Sequence, residues 1–210
     1  MTLGVVASST GAPLDPTNQS LAGLAFGELA MGILGVLTIT SEYSSGSIRS
    51  TLVAVPHRPL VLAAKALVYV TMAIVVSETV TFVTFLAGQA AMDNAHRATL
   101  AQPGVASAVI LSGLFLPLIG LFGLGLGAIV RNTAAGIGIF VALVLVLPVA
   151  LTPFGDSVGR FAPELILKSS VAAVVPQTGF LSPWAGFGVM TLYATLTLVT
   201  GLAVLVHHDA

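Results

Sequence analysis

The chain has 210 residues, of which 56% are hydrophobic and 7% charged, and its net charge is -1 at neutral pH. A soluble domain carries about 25% charged residues, so a water-facing globular surface is excluded and an integral membrane protein is implied. The near-neutral balance argues against nucleic-acid binding, and the lack of cysteine excludes disulfides and thiolate metal sites.

Residues 1–14 carry no basic start and no long apolar run, so they do not read as a signal peptide. Residues 1–20 read as an outer segment, and 21–210 as one transmembrane domain. A span needs roughly 20 mostly apolar residues. Five stretches qualify, at about 21–39, 61–87, 105–130, 135–154 and 184–206. The second is long enough to tilt or project. Period-two alternation is absent, so helices are expected rather than a barrel.

Between the first two spans lies a polar island, 41–58. On a helix, Ile48, Leu52 and Val55 fall at i, i+4 and i+7 and form one apolar stripe. Arg49 and Ser50 lie off it. Gly46 can break the preceding span, and Pro56 stops the short helix. A segment so built suits a membrane surface, either as a plain interfacial loop helix or as a surface on which another protein pushes.

The later connections are unequal. Residues 89–104 hold Asp93, His96 and Arg97, Arg131-Asn132-Thr133 is a tight turn, and 155–183 contains Pro163, Pro176 and Pro183. Within the last, 164–175 can form a short interfacial or re-entrant helix. Placing 42–58 inside puts Arg49, Arg58, Lys65 and Arg131 inside, against Arg97, Arg160 and Lys168 outside, a weak vote under the positive-inside rule.

Glu28 and Glu78 are the carboxyls within spans. A charge at mid-membrane costs roughly 2.5–3.5 kcal/mol on insertion scales. Both are expected about 11–14 Å below the outer surface, so they could share one level of one substrate cavity. Lys65 lies about 20 Å away along the axis and is not their partner. The other reading makes each a neutral carboxyl, bonded to a hydroxyl such as Ser77 or Thr81. Gly113, Gly120 and Gly127, with Gly123 between, offer a smooth ridge for a neighbouring helix. Tyr193, Thr197 and Thr200 form a polar stripe expected to pack inward.

Catalytic chemistry is not encoded in any recognisable form. No Gly-x-x-x-x-Gly-Lys-[Ser/Thr] phosphate loop is present, so ATP hydrolysis by this chain is not expected. No nucleophile motif stands out. His57, His96, His207 and His208 show no helical metal-ligand spacing, so no metal site is expected.

The run Glu42-Tyr43-x-x-Gly46-x-Ile48-Arg49-x-Thr51-Leu52, then Pro56-x-Arg58, then Val61-Leu62-Ala63-Ala64-Lys65, resembles the first cytoplasmic loop of type 2 ATP-binding-cassette (ABC) transporter permeases, especially actinobacterial ones. Leu126-Gly127-Ala128-Ile129-Val130-Arg131-Asn132-Thr133-Ala134 resembles their later cytoplasmic turn. Trp184-x-Gly186 through His208-Asp209-Ala210 resembles their last span and tail.

The resemblance implies an all-α polytopic bundle with a short cytoplasmic coupling helix, carried by Glu42, Gly46, Ile48, Arg49, Leu52, Val55 and Arg58. It implies a multi-pass permease subunit of an exporter in the cytoplasmic membrane. A separate ATPase subunit would bind ATP and magnesium, and a second permease copy or homologue would complete the pathway. The family normally has six spans, so an additional span upstream of Met1 is expected. A proton-coupled secondary transporter using Glu28 and Glu78 is the alternative, although the inverted repeat of such transporters is not visible. A non-transporting membrane scaffold is a third.

Overall fold

The computed structural model describes residues 21, 23–55, 57–92, 98–151, 160–171 and 181–207. Seven helices order them: α1 Leu24–Ser45, α2 Ser47–Ala54, α3 Arg58–Ala90, α4 Val105–Val130, α5 Thr133–Leu151, α6 Pro163–Val171 and α7 Pro183–His207. Among the described residues there is no strand. Five of the helices, α1, α3, α4, α5 and α7, are long and apolar enough to cross a membrane. The chain is a multi-pass, all-helical membrane protein, as expected from its composition.

Several boundaries differ from the sequence expectation. α1 was expected to end near 39 but runs six residues further, so Glu42 and Tyr43 belong to a span rather than to the loop. The polar residues did not end the helix, because two of them find partners on neighbouring elements, as described below. α3 has 33 residues. At about 1.5 Å per residue it measures about 50 Å, well beyond a hydrocarbon core of about 30 Å, so it projects or tilts. α5 contains a π-helical segment, Ala142–Val146, just before Pro148. The wider turn is one way for a helix to absorb a proline that cannot donate to the preceding turn. The expected interfacial helix at 164–175 appears as Pro163–Val171, and its final residues lie outside the described region. Residues 1–20, Asp93, His96, Arg97 and His208 also lie outside it.

α4 is the hub. Two thirds of its core window, 67%, is buried, against 22–44% for the other four spans. α1, α3 and α7 all pack on α4, while α1 and α3 touch each other little. The approach of α1 is close enough to need glycine on both sides. A Cβ at Gly35 would collide with the carbonyl oxygen of Gly120, and one at Gly123 with the carbonyl oxygen of Gly32. Small residues let membrane helices gain dispersion energy that lipid cannot replace.

The seven-residue glycine ridge was expected to serve one neighbour. It serves two instead. Gly113 and Gly120 face α3, meeting Glu78 and Tyr69, whereas Gly123 and Gly127 face α1. An α-helix drifts about 20° per heptad, so a ridge spaced by sevens rotates away from its first partner. Gly125, on another face, meets Thr197 of α7.

Candidate functional site

The end of the bundle that carries α2 also holds the bonds by which Arg58, Lys65 and Arg131 reach other elements. α2 is bounded by Gly46, whose φ of 74° is left-handed, and by Val55, whose backbone is extended. Glycine meets the first requirement without steric penalty. Ile48 is buried, at 3% exposure, where α2 meets α1 and α3. The expected stripe is therefore divided. Ile48 is an anchor into the bundle, Leu52 is half-buried, and Val55 leaves the helix before its turn comes. The outward face carries Arg49 and, one turn on, Val53, which is 83% exposed. Helical spacing alone does not reveal which side of a short amphipathic helix faces its own bundle.

Behind α2, three spans are tied together. Lys65 of α3 donates to Glu42 Oε1 of α1 at 2.5 Å and to the carbonyl oxygen of Thr38 at 3.4 Å. Lys65 is thus apart from Glu28 and Glu78, and Glu42 is a brace between spans. Arg58 Nη1 donates to the carbonyl oxygen of Leu205 at 2.8 Å, near the end of α7. Arg131 Nη2 donates to the carbonyl oxygen of Val204 at 2.6 Å, and its guanidinium lies 5.6 Å from the centre of the Tyr43 ring. Arg131 itself has φ 57°, the one positive value among described non-glycine residues. That backbone ends α4, and Asn132 then caps α5 by accepting from Ala135 N at 3.0 Å. The sequence placed Lys65, Arg131 and Tyr43 in the motifs of the family resemblance and counted the two cations as inside charges, but gave none of the three the partner found here. Their clustering at apparent span ends was the available signal.

Further along, Tyr69 of α3 lies over Gly120 and donates to the carbonyl oxygen of Met31 at 2.7 Å. Between α1 and α3 opens a groove of about 540 Å³, with apolar walls that include Leu34, Val68 and Met72 and with Lys65 at one end. A smaller pocket of about 250 Å³ lies beside Tyr193, Phe122 and Phe161.

Glu28 and Glu78 line neither. Glu28 is buried, at 1% exposure, and its Oε1 has no hydrogen-bond partner. It lies in electrostatic range of Glu164 and Lys168 of α6, themselves an ion pair at 2.6 Å. Glu78 rests on Gly113 of α4. Its Oε1 is also buried without a partner. Their levels nearly agree. Gly27, the neighbour of Glu28, meets Leu116, three residues along α4 from Gly113 and so about 4.5 Å away in height. Their burial differs: Glu28 is fully buried, whereas Glu78 is partly exposed and rests on Gly113 of α4. The hydroxyl partners expected for Glu78 are also otherwise placed: Ser77 donates to the Ile74 carbonyl, and Thr81 Oγ1 has no partner.

The polar stripe on α7 is partly inward. Tyr193 donates to the Phe161 carbonyl oxygen at 3.2 Å, and Thr197 packs on Gly125. Thr200 is exposed and bonds back to Leu196, because the buried face of α7 passes through Gly201 instead.

Compared with protein-family models, with curated proteins and with solved structures, the chain matches none.

Proposed function

We propose that the chain is the membrane-spanning permease subunit of an ABC exporter. ATP would be hydrolysed, with magnesium, by a separate ATPase subunit on the α2 side, taken as cytoplasmic. A second permease copy or homologue would complete the pathway. The observation that carries this reading is α2: a short helix joined directly to two spans, hinged at Gly46, anchored by Ile48, and presenting Arg49 and Val53 outward. Motion of a partner against that face would reach α1 through Gly46 and α3 through Arg58. The Lys65–Glu42 pair would keep the two spans moving together. The sequence resemblance described above supports the same assignment.

The test is retention of an ATPase subunit and substrate-stimulated ATP hydrolysis in membranes. Val53→Asp should abolish both, by stranding an unpaired carboxylate in an apolar groove of the partner. Ser50→Ala should leave both intact. If Val53→Asp inserts normally and remains fully coupled, α2 is an ordinary interfacial helix and the reading fails.

A further inference from the structure

The groove between α1 and α3 has a floor, one closed end and one open side. It runs from Lys65 to Val76 along α3, about 17 Å at about 1.5 Å per residue. Tyr69 crosses its floor to reach the Met31 carbonyl oxygen at 2.7 Å. Lys65 closes one end by bonding Glu42 and the Thr38 carbonyl oxygen of α1. The long side is open: Leu34, Val68, Met72 and Val76 are each more than half exposed, and all four belong to membrane-crossing helices. In a bilayer, lipid hydrocarbon therefore faces the groove along its length.

Size selects among apolar occupants. The groove holds about 540 Å³. A helix about 10 Å across fills roughly 1,300 Å³ over the same length, more than twice that space. One extended acyl chain is far thinner and fits. Charge selects the head. Lys65 meets Glu42 close to the end of α1 at Ser45, so this end of the groove lies at the membrane surface. Among the described residues the same end carries Arg49, Arg58, Lys65 and Arg131 against one carboxylate, Glu42. Arg49 is exposed on α2, the helix that links the two walls of the groove, and joins no ion pair among the described residues. That balance attracts a phosphate, and basic pockets between spans bind anionic head groups.

We infer that the α1–α3 groove is a binding site for one anionic phospholipid, with an acyl chain along Leu34, Val68, Met72 and Val76 and its phosphate at the Lys65 end. The apolar trough and the positive end meet at Lys65, so a lipid of that polarity is complementary to both. A zwitterionic lipid gains the trough but less from the surplus of cations. The bound chain fills the space that α1 and α3 leave by packing on α4 rather than on each other. The site stands on α1, α3 and the charges at their shared end, and needs no assumption about an ATPase.

The experiment uses the full chain in a mild detergent, with phosphatidylglycerol that carries a diazirine on its acyl chain. After photolysis the labelled positions are read by peptide mass spectrometry. Labelling is expected to concentrate on the groove residues of α1 and α3. Unlabelled phosphatidylglycerol should displace the probe at about tenfold lower concentration than phosphatidylcholine. Lys65→Met combined with Glu42→Gln, which removes the cation without stranding its partner, should bring the two competitors closer to level. Val68→Trp, which fills the trough, should remove the labelling, and Leu196→Trp, exposed on α7, should match the parent. Label spread evenly over the lipid-facing helices would overturn the inference, as would equal competition by the two lipids in the parent. If the groove takes no label and Val68→Trp instead dissociates a dimer, the face is a protein interface and the lipid site falls.

Discussion

Arg58 and Leu205 lie 147 positions apart, yet the guanidinium at the start of α3 donates to the carbonyl near the end of α7 at 2.8 Å. Arg131 does the same for Val204 from the turn after α4. The last carbonyls of a helix have no partner within it, and here two arginines from different elements supply one. The end of α7 is thereby fixed to both α3 and the α4–α5 turn.

Removing either cap should loosen that end. Arg58→Ala and Arg131→Ala are each expected to lose about 1.5–3 kcal/mol, the range for hydrogen bonds from charged groups. The measurement is thermal unfolding in nanodiscs, together with hydrogen exchange in the last turn of α7. Exchange there should accelerate first. Unchanged exchange in both variants would show that water caps the helix equally well.

Arg131 also carries a backbone requirement. Its φ of 57° is tolerated by asparagine and disfavoured by β-branched residues. Arg131→Asn and Arg131→Val both lose the bond to Val204, so their difference isolates the turn. Arg131→Val is expected to be less stable than Arg131→Asn by about 1–2 kcal/mol. Equal stabilities would mean that the turn relaxes to another conformation.

Lys65 and Glu42 should couple strongly. Both side chains are mostly buried, at 18% and 24% exposure, and Glu42 Oε2 already has no partner. Lys65→Met leaves a carboxylate stranded between α1 and α3, with an expected loss of about 1–3 kcal/mol. Adding Glu42→Gln should recover most of it. A double-mutant cycle measures the coupling, and additive losses would show that the pair contributes no interaction.

The glycine contacts can be ranked. Gly35→Ala places a methyl group against the backbone of α4, which cannot rotate away, and should cost about 3 kcal/mol or more. Gly138 has nothing within 4 Å of an added Cβ, so Gly138→Ala should be neutral or stabilise by up to about 1 kcal/mol. Unfolding in a mild detergent series would separate them. Equal behaviour would refute the close crossing of α1 and α4.

The sequence by itself determined the solvent of this protein and the number of its apolar helices. With so few charges, no other surface could be built, and apolar runs of span length in hydrocarbon must be helical because the backbone has no other partner there. It also placed the break at Gly46 and the turn at Arg131-Asn132, since left-handed backbone and capping chemistry are written in single residues. Facing was a different matter. Whether Ile48 points into the bundle or away from it, which helices share the glycine ridge, and whether Glu28 meets Glu78 all depend on how helices surround α4. In a membrane helix both faces are apolar, so periodicity carries little information about which side packs on protein. Tertiary structure alone brought Arg58 to Leu205, Lys65 to Glu42 and Glu78 to Gly113. These contacts join residues far apart in the chain, and their strength comes from burial and from the donors each acceptor happens to meet.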